Sequence, residues 1–182
     1  LDDLWSDTEC GHLVEKTVFL ECSSEYRKDG PEELRCLGET EFVSGLADQA
    51  AKSKEHTVRV AGIVGHADLT MGARVEEVLQ AHLECSELFR GIRHRAAWDQ
   101  ELGGSDRDTR VYANKSFREG FATLAPLGLS FDAWNFFTQM PELVELADAL
   151  PETTIIMNHL GGPLGVGSYA QYREEVFARW QQ

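Results

Sequence analysis

The 182 residues, 42% hydrophobic and 26% charged, suffice for one sizeable core and are too few for two ordinary domains. With 31 acidic residues against 17 basic ones the formal net charge is -14, a surface that repels polyanions, so nucleic acid is excluded as the expected partner. No apolar stretch approaches the roughly 20 residues that cross a bilayer, and no charged-then-apolar leader opens the sequence, so the expectation is a soluble, cytoplasmic protein with no membrane partner.

The spacing of Leu1, Leu4 and Trp5 predicts an amphipathic helix at the start. Five β-type runs follow, at 16–22, 58–66, 89–94, 129–134 and 153–159, each the length of one buried strand. Between them apolar residues fall at helical spacing, as at Val75, Val78, Leu79 and Leu83, and at Leu143, Leu146, Ala147 and Leu150. Alternating strands and helices imply a parallel sheet covered by helices, because a parallel crossover must be long enough to hold one. The class is therefore α/β. Strand starts lie 24–42 residues apart, close to the ~31 of about 250 residues shared among eight βα units, which favours a (β/α)8 TIM barrel over an open doubly wound sheet. Five units cannot close that barrel, so a single partial domain over 1–182 is expected, holding about strands 2 to 6 with their helices and closing on a helix near 172–180. The stretch from Gly103 to Arg110 reads as a polar loop too short to link domains.

Cys10, Cys22, Cys36 and Cys85 form no Cys-x-x-Cys pair, which speaks against a zinc knuckle or a redox dithiol. Cys22 closes an apolar run and is expected to be buried and reduced. In parallel α/β proteins the reactive groups gather where strands end. Those positions hold Glu21, His66 with Asp68, Arg93 and His94, Asp132, and His159. Strict alternation groups Ile155, Met157 and His159 on one side, and Phe89, Gly91 and Arg93 on one side, which lets His159 and Arg93 share an interior.

His159, followed by Leu-Gly-Gly, is a rim imidazole suited to binding a metal or moving a proton; the bland alternative is a hydrogen bond to a nearby carbonyl. Arg93 offers a planar fork for a substrate carboxylate, or one half of an ion pair with Glu21 or Asp132. Asp132, among aromatics in Ser-Phe-Asp-Ala-Trp, is either an acid or base of the reaction or that arginine's partner. His66-Ala-Asp68 is half of a metal-binding pattern without a third ligand. His12, His56 and His82 are assigned to the surface, and Glu142 and Glu145, like Glu32 and Glu33, to solvated faces. Gly165-Val-Gly-Ser-Tyr-Ala170 has the G-x-G-x-x-A form, but Pro163 and other positions separate it from the strand before it, so no nucleotide cofactor is expected. With no G-x-S-x-G elbow present, serine catalysis is unsupported as well.

Longer motifs occur in order: Gly-His-Leu-Val-Glu-Lys-Thr-Val-Phe-Leu-Glu-Cys at 11–22, Tyr26-Arg-Lys-Asp-Gly-Pro-Glu-Glu-Leu, Gly38-Glu-Thr-Glu-Phe-Val, Phe89-Arg-Gly-Ile-Arg-His, Leu127-Gly-Leu-Ser-Phe-Asp-Ala-Trp and Asn158-His-Leu-Gly-Gly-Pro-Leu-Gly. Together they resemble the branch of the amidohydrolase superfamily related to 2-pyrone-4,6-dicarboxylate lactonase, described as metal-dependent TIM-barrel hydrolases. The resemblance implies hydrolysis of a small carboxylate-bearing lactone, ester or amide by activated water, with His159 and Asp132 as catalytic groups and Arg93, His94, Glu21 and Tyr26 around the substrate. It admits a divalent metal such as zinc at His159, although some lactonase-type relatives are thought to act without one. The family's His-x-His pair occurs nowhere in the chain, its closing strand-end aspartate has no counterpart, and Phe136-Phe137-Thr138 stands where relatives carry a histidine, so the expectation is a hydrolase of which this chain alone is inactive. The alternative is an inactive fragment or relative that keeps a carboxylate-binding scaffold.

Overall fold

The computed structural model describes residues 1–100, 103–104 and 110–182, so most of the polar loop between Gly103 and Arg110 lies outside the described residues. The chain divides into two compact units, one of residues 1–67 and 77–92, the other of 68–76 and 93–182. Among the described residues no helix is long and apolar enough to cross a membrane.

The first unit opens with α1 (Asp2–Thr8), where the helical spacing of the first residues predicts it, and continues through β1 (Lys16–Leu20), α2 (Leu37–Lys52), β2 (Arg59–Gly65), most of α3 (Val75–Cys85) and the beginning of β3 (Phe89–Arg95). The strands are rich in β-branched and aromatic residues, and they run parallel: Lys16 pairs with Arg59 and Leu20 with Val64, then Ile63 with Phe89. α2 buries Leu37, Val43, Ala47 and Ala50 along one side. Its first turn holds the loop after β1. The Glu39 carboxylate accepts from the backbone N–H of Cys22 (3.1 Å) and of Ser24 (2.8 Å), and a Cβ at Gly38 would lie 2.3 Å from the Glu25 carbonyl, so only glycine lets the loop approach this closely.

The structure departs from the sequence pattern at three places in this unit. Cys22 is exposed rather than buried, lying past the end of β1 at Leu20; the buried thiol is Cys36, whose pKa burial pushes up to about 11. His82 is fully buried rather than a surface residue. It completes the stripe Val75, Val78, Leu79 and His82, spaced i, i+3, i+4, i+7 on α3. Its ring stacks on Phe89 at 4.6 Å, Nδ1 lies 2.9 Å from the Thr40 hydroxyl, and Nε2 lies 3.0 Å from the His66 carbonyl, to which it donates. A neutral imidazole with both nitrogens satisfied is tolerated in a core, and burial pushes its pKa down to about 4. Finally, Phe89 does not share a face with Gly91 and Arg93. The β2–β3 register passes from Ile63↔Phe89 to Val64↔Gly91, so Arg90 is an extra residue that reverses the alternation.

The second unit carries the rest of β3, a short antiparallel pair of β4 (Trp98–Asp99) and β5 (Gly103–Gly104), α4 (Lys115–Phe121), β6 (Ser130–Trp134), α5 (Met140–Ala149), β7 (Ile155–Met157) and α6 (Arg173–Trp180). The short pair replaces the start of what reads as plain loop. β6 lies between β3 and β7, bonded by Ala96 N–H to the Trp134 carbonyl (3.0 Å) and paired parallel to β7 through Phe131↔Ile155 and Ala133↔Met157. Tyr112, Phe117, Phe121 and Phe131 are fully buried and meet edge to face or stacked at 5.2–6.3 Å. Each buries area worth roughly 1.5–3 kcal/mol, which makes this cluster the principal support of the unit. Gln139 ties the ends of two strands: its amide donates to the Ala96 carbonyl (2.8 Å), and its oxygen accepts from Trp98 N–H (2.9 Å) and Phe136 N–H (3.2 Å). Glu142 is less solvated than its spacing suggests, with a side chain only 20% exposed that pairs with Arg110 at 3.2 Å. Parallel strands, each leading into helical structure, make the class α/β, as the alternation predicts.

Two outcomes are expected. A Cβ at Gly120 would stand 2.3 Å from the Leu69 carbonyl, so Gly120→Ala lowers stability by roughly 1–3 kcal/mol in urea unfolding. The folded pKa of His82 lies below its unfolded value near 6.5, so the contribution of the neutral ring is fully present above that value and is lost as pH falls through about 4. Urea midpoints measured across this range decline toward acid, and His82→Gln flattens the decline.

Candidate active site

In the second unit one face of the sheet gathers the polar side chains. Past the extra residue in β3, alternation sends Arg93 and Arg95 to this face, and on β6 it groups Asp132 with Trp134. The pairing Asp132↔Ile156 then sets position 158, two residues on, beside Trp134. The Arg93 guanidinium carbon lies 5.2 Å from the Trp134 ring centre and that of Arg95 5.5 Å, cation–π contacts in which the indole's negative face offsets positive charge. Arg93 also donates from Nη1 to Asn158 Oδ1 (3.3 Å), and Asn158 Nδ2 donates to Asp132 Oδ1 (2.9 Å). A guanidinium only donates and a carboxylate only accepts, so the amide between them has one sensible orientation.

Asp132 is 2% exposed, and its Oδ2 has no hydrogen-bond partner among the described residues. Burial pushes its carboxyl above the usual range, opposed by the Asn158 hydrogen bond and by the charge of Arg93. Such a group is costly as a structural filler and useful as a proton acceptor or donor.

His159 reaches the same indole by an unexpected route. β7 ends at Met157, so His159 is not on the strand, and the alternation that groups it with Ile155 and Met157 does not apply. The chain instead turns left-handed at four successive residues, with φ of 50° at His159, 55° at Leu160, 75° at Gly161 and 59° at Gly162. Left-handed conformation disfavours side-chain-bearing residues, and this turn is held by contacts. A Cβ at Gly162 would lie 2.5 Å from the Asn135 carbonyl, Gly162 itself accepts from Phe137 N–H (3.2 Å), and Trp180 Nε1 donates to the Leu160 carbonyl. The exposed imidazole thereby stands edge-on to Trp134, ring centres 5.8 Å apart.

The other candidates lie elsewhere. His94, adjacent to Arg93 on the strand, points to the opposite face: Nδ1 accepts from Leu69 N–H (3.3 Å), Asp68 lies 3.8 Å away, and the ring meets Phe117 edge-on at 5.3 Å. Glu21 and Tyr26 belong to the first unit. Glu21 is 1% exposed at the end of β1, and the Tyr26 phenol is pushed up to about 12, chiefly by burial, against a lowering hydrogen bond from Ser23 and with further raising by Glu39, Cys36 and Glu21. Asp68 caps the turn after it through Thr70 N–H (2.9 Å) and Oγ1 (2.6 Å), and His66 offers its carbonyl to His82. Among the described residues no three of His, Cys, Asp and Glu converge as a metal requires.

Trp134, Arg95, Asn158 and Gln139 are absent from the residues singled out in the sequence. For Asn158 a signal existed: it continues the Ile156 series on the Asp132 face. Gln139, one position past Phe136-Phe137-Thr138, carries no spacing that would mark it.

The amidohydrolase profile matches residues 21–182. The chain belongs to the amidohydrolase family. Uncharacterized protein y4mH of Sinorhizobium fredii is 31% identical over 168 residues, covering 88% of this chain and 49% of that protein, so the chain spans about half the length of this relative. Two crystal structures of an amidohydrolase from Burkholderia multivorans share the fold. One, with bound zinc, matches at a TM-score of 0.58 and 24% identity, over 79% of this chain and 43% of its own. The other, with bound HEPES, matches at 0.57 and 17%, over 92% and 63%. The strand-and-helix order is that of five consecutive units of a TIM barrel.

Leu160 is 68% exposed, so its side chain contributes little to set against its left-handed backbone. Leu160→Gly is expected to raise stability by roughly 0.5–1 kcal/mol in urea unfolding, the strain relieved less the entropy glycine adds to the unfolded chain.

Proposed function

We propose that this amidohydrolase-family chain takes part in hydrolysis of a small carboxylate-bearing lactone, ester or amide. The observation that carries the reading is the meeting of Arg93 and His159 on the Trp134 indole, with the buried carboxylate of Asp132 joined to Arg93 through Asn158. Arg93 holds the substrate carboxylate, its fork suited to two parallel hydrogen bonds, and Arg95 across the same indole adds positive charge. Trp134 supplies a flat apolar floor on which both cations rest.

The chemical step divides between the two titratable groups. Water adds to the carbonyl carbon while giving up a proton, the carbonyl's bond to the leaving oxygen or nitrogen breaks, and the leaving atom takes a proton. His159, exposed and beside Trp134, is placed to exchange protons with bound substrate, and Asp132, held above the usual carboxylate range chiefly by burial, serves as the second acid or base. A divalent metal such as zinc would polarise the carbonyl and activate water in family members that hold one. The donors described in this chain do not fit such a centre, since no three of them converge, and no step is assigned to it.

The reading is tested by offering the protein that carries this chain a panel of carboxylate-bearing lactones, esters and amides, following proton release for the lactones and esters and free amine for the amides. On any substrate turned over, His159→Ala lowers kcat by about 10²-fold or more, and Arg93→Met raises KM with a much smaller change in kcat. Saturable binding of these compounds without turnover would instead favour the carboxylate-binding, non-hydrolytic relative.

A further inference from the structure

We infer that Asn158 is a positioning residue: its carboxamide sets the spacing and orientation of the Arg93 guanidinium and the Asp132 carboxylate, and it fixes the point from which the left-handed turn delivers His159 to Trp134. The inference deepens the hydrolytic reading and rests on it for its functional meaning.

Chemistry and burial both favour this role. A carboxamide presents an acceptor and a donor on one rigid plane, so it can satisfy a group that only donates and a group that only accepts at once. Asn158 does this, with Oδ1 toward Arg93 at 3.3 Å and Nδ2 toward Asp132 at 2.9 Å. The apolar residues just before it do not share its burial. Ile156 and Met157, the apolar residues just before it, are 45% and 41% exposed, whereas Asn158 is 8% exposed. A polar side chain more buried than its apolar neighbours is held there by its hydrogen bonds. The next residue begins the left-handed turn, so pinning the Asn158 side chain also pins the base of the His159 arm.

The test compares Asn158→Leu, which keeps the branched outline and removes both bonds, with Asn158→Asp, which keeps an oxygen toward Arg93 and removes the donor toward Asp132. The full chain is isotope-labelled, and two NMR signatures are read: proton exchange of the Arg93 guanidinium, assigned with Arg93→Lys, and the ring-current shift of the His159 Cε1 proton, assigned with His159→Gln. Asn158→Leu is expected to speed Arg93 exchange about tenfold or more, as loss of a hydrogen bond to a charged group implies, and to move the His159 signal toward that of a free imidazole. Asn158→Asp is expected to leave Arg93 exchange slow. Unchanged exchange and shift in a folded Asn158→Leu protein would overturn the inference, as would equally fast exchange in both variants. Should Asn158→Leu not fold, Asn158→Ser, too short to reach Arg93, carries the same expectations. Neither signature requires turnover. Moved signals without hydrolysis therefore fail the functional reading alone, and hydrolysis with unmoved signals fails this inference alone.

Discussion

A positive and a negative side chain taken out of water have to be compensated locally, and around Arg93 and Asp132 this requirement organises the second unit. The guanidinium rests on the Trp134 indole and bonds to Asn158; the carboxylate bonds to the same amide. Removing one charge from such a set would leave the other without compensation in a region of low dielectric, a larger loss than the set contributes when intact. The arrangement constrains three strands: β3 must bring Arg93 to this face, β6 must bring Asp132 and Trp134, and the chain leaving β7 must bring Asn158.

The same economy of buried polar groups recurs where β1, β2, β3 and β6 hand over to loops. Glu39 gathers the backbone N–H groups after β1, His82 holds the carbonyl after β2, and Gln139 joins the backbone after β3 to that after β6. Each is a side chain from a later helix or helical turn reaching back to a strand end. Loops at this end of the strands would otherwise carry unsatisfied backbone groups. Within each unit these fixed side chains meet that need.

Close approach of backbone sets the remaining geometry. At Gly38, Gly120 and Gly162 a Cβ would fall 2.3–2.5 Å from a carbonyl oxygen, so these contacts exist only because hydrogen stands in place of a side chain. At Gly162 the consequence reaches the candidate site. The left-handed turn that begins at His159 closes against Asn135 and Phe136, and this turn brings the imidazole to the indole.

Local sequence was enough to determine the alternation of strands and helices, the strand positions to within a few residues, and Arg93, Asp132 and His159 as polar groups in or just past the strands. These follow from periodicity and residue type, which act over a few neighbours. Which face each side chain takes was decided only in three dimensions. The extra residue at Arg90 reverses the parity of β3, and it arises from register against β2. His159 joins Arg93 because β7 ends early and the backbone turns left-handed, a conformation that two glycines permit and packing enforces. His82 goes inward because Thr40 and the His66 carbonyl satisfy its nitrogens, and Asn158 gains its role because Arg93 and Asp132 converge on it from distant parts of the chain. A period of two or 3.6 residues carries no information about partners tens of residues away, and those partners set both the burial of a polar group and the chemistry it can perform.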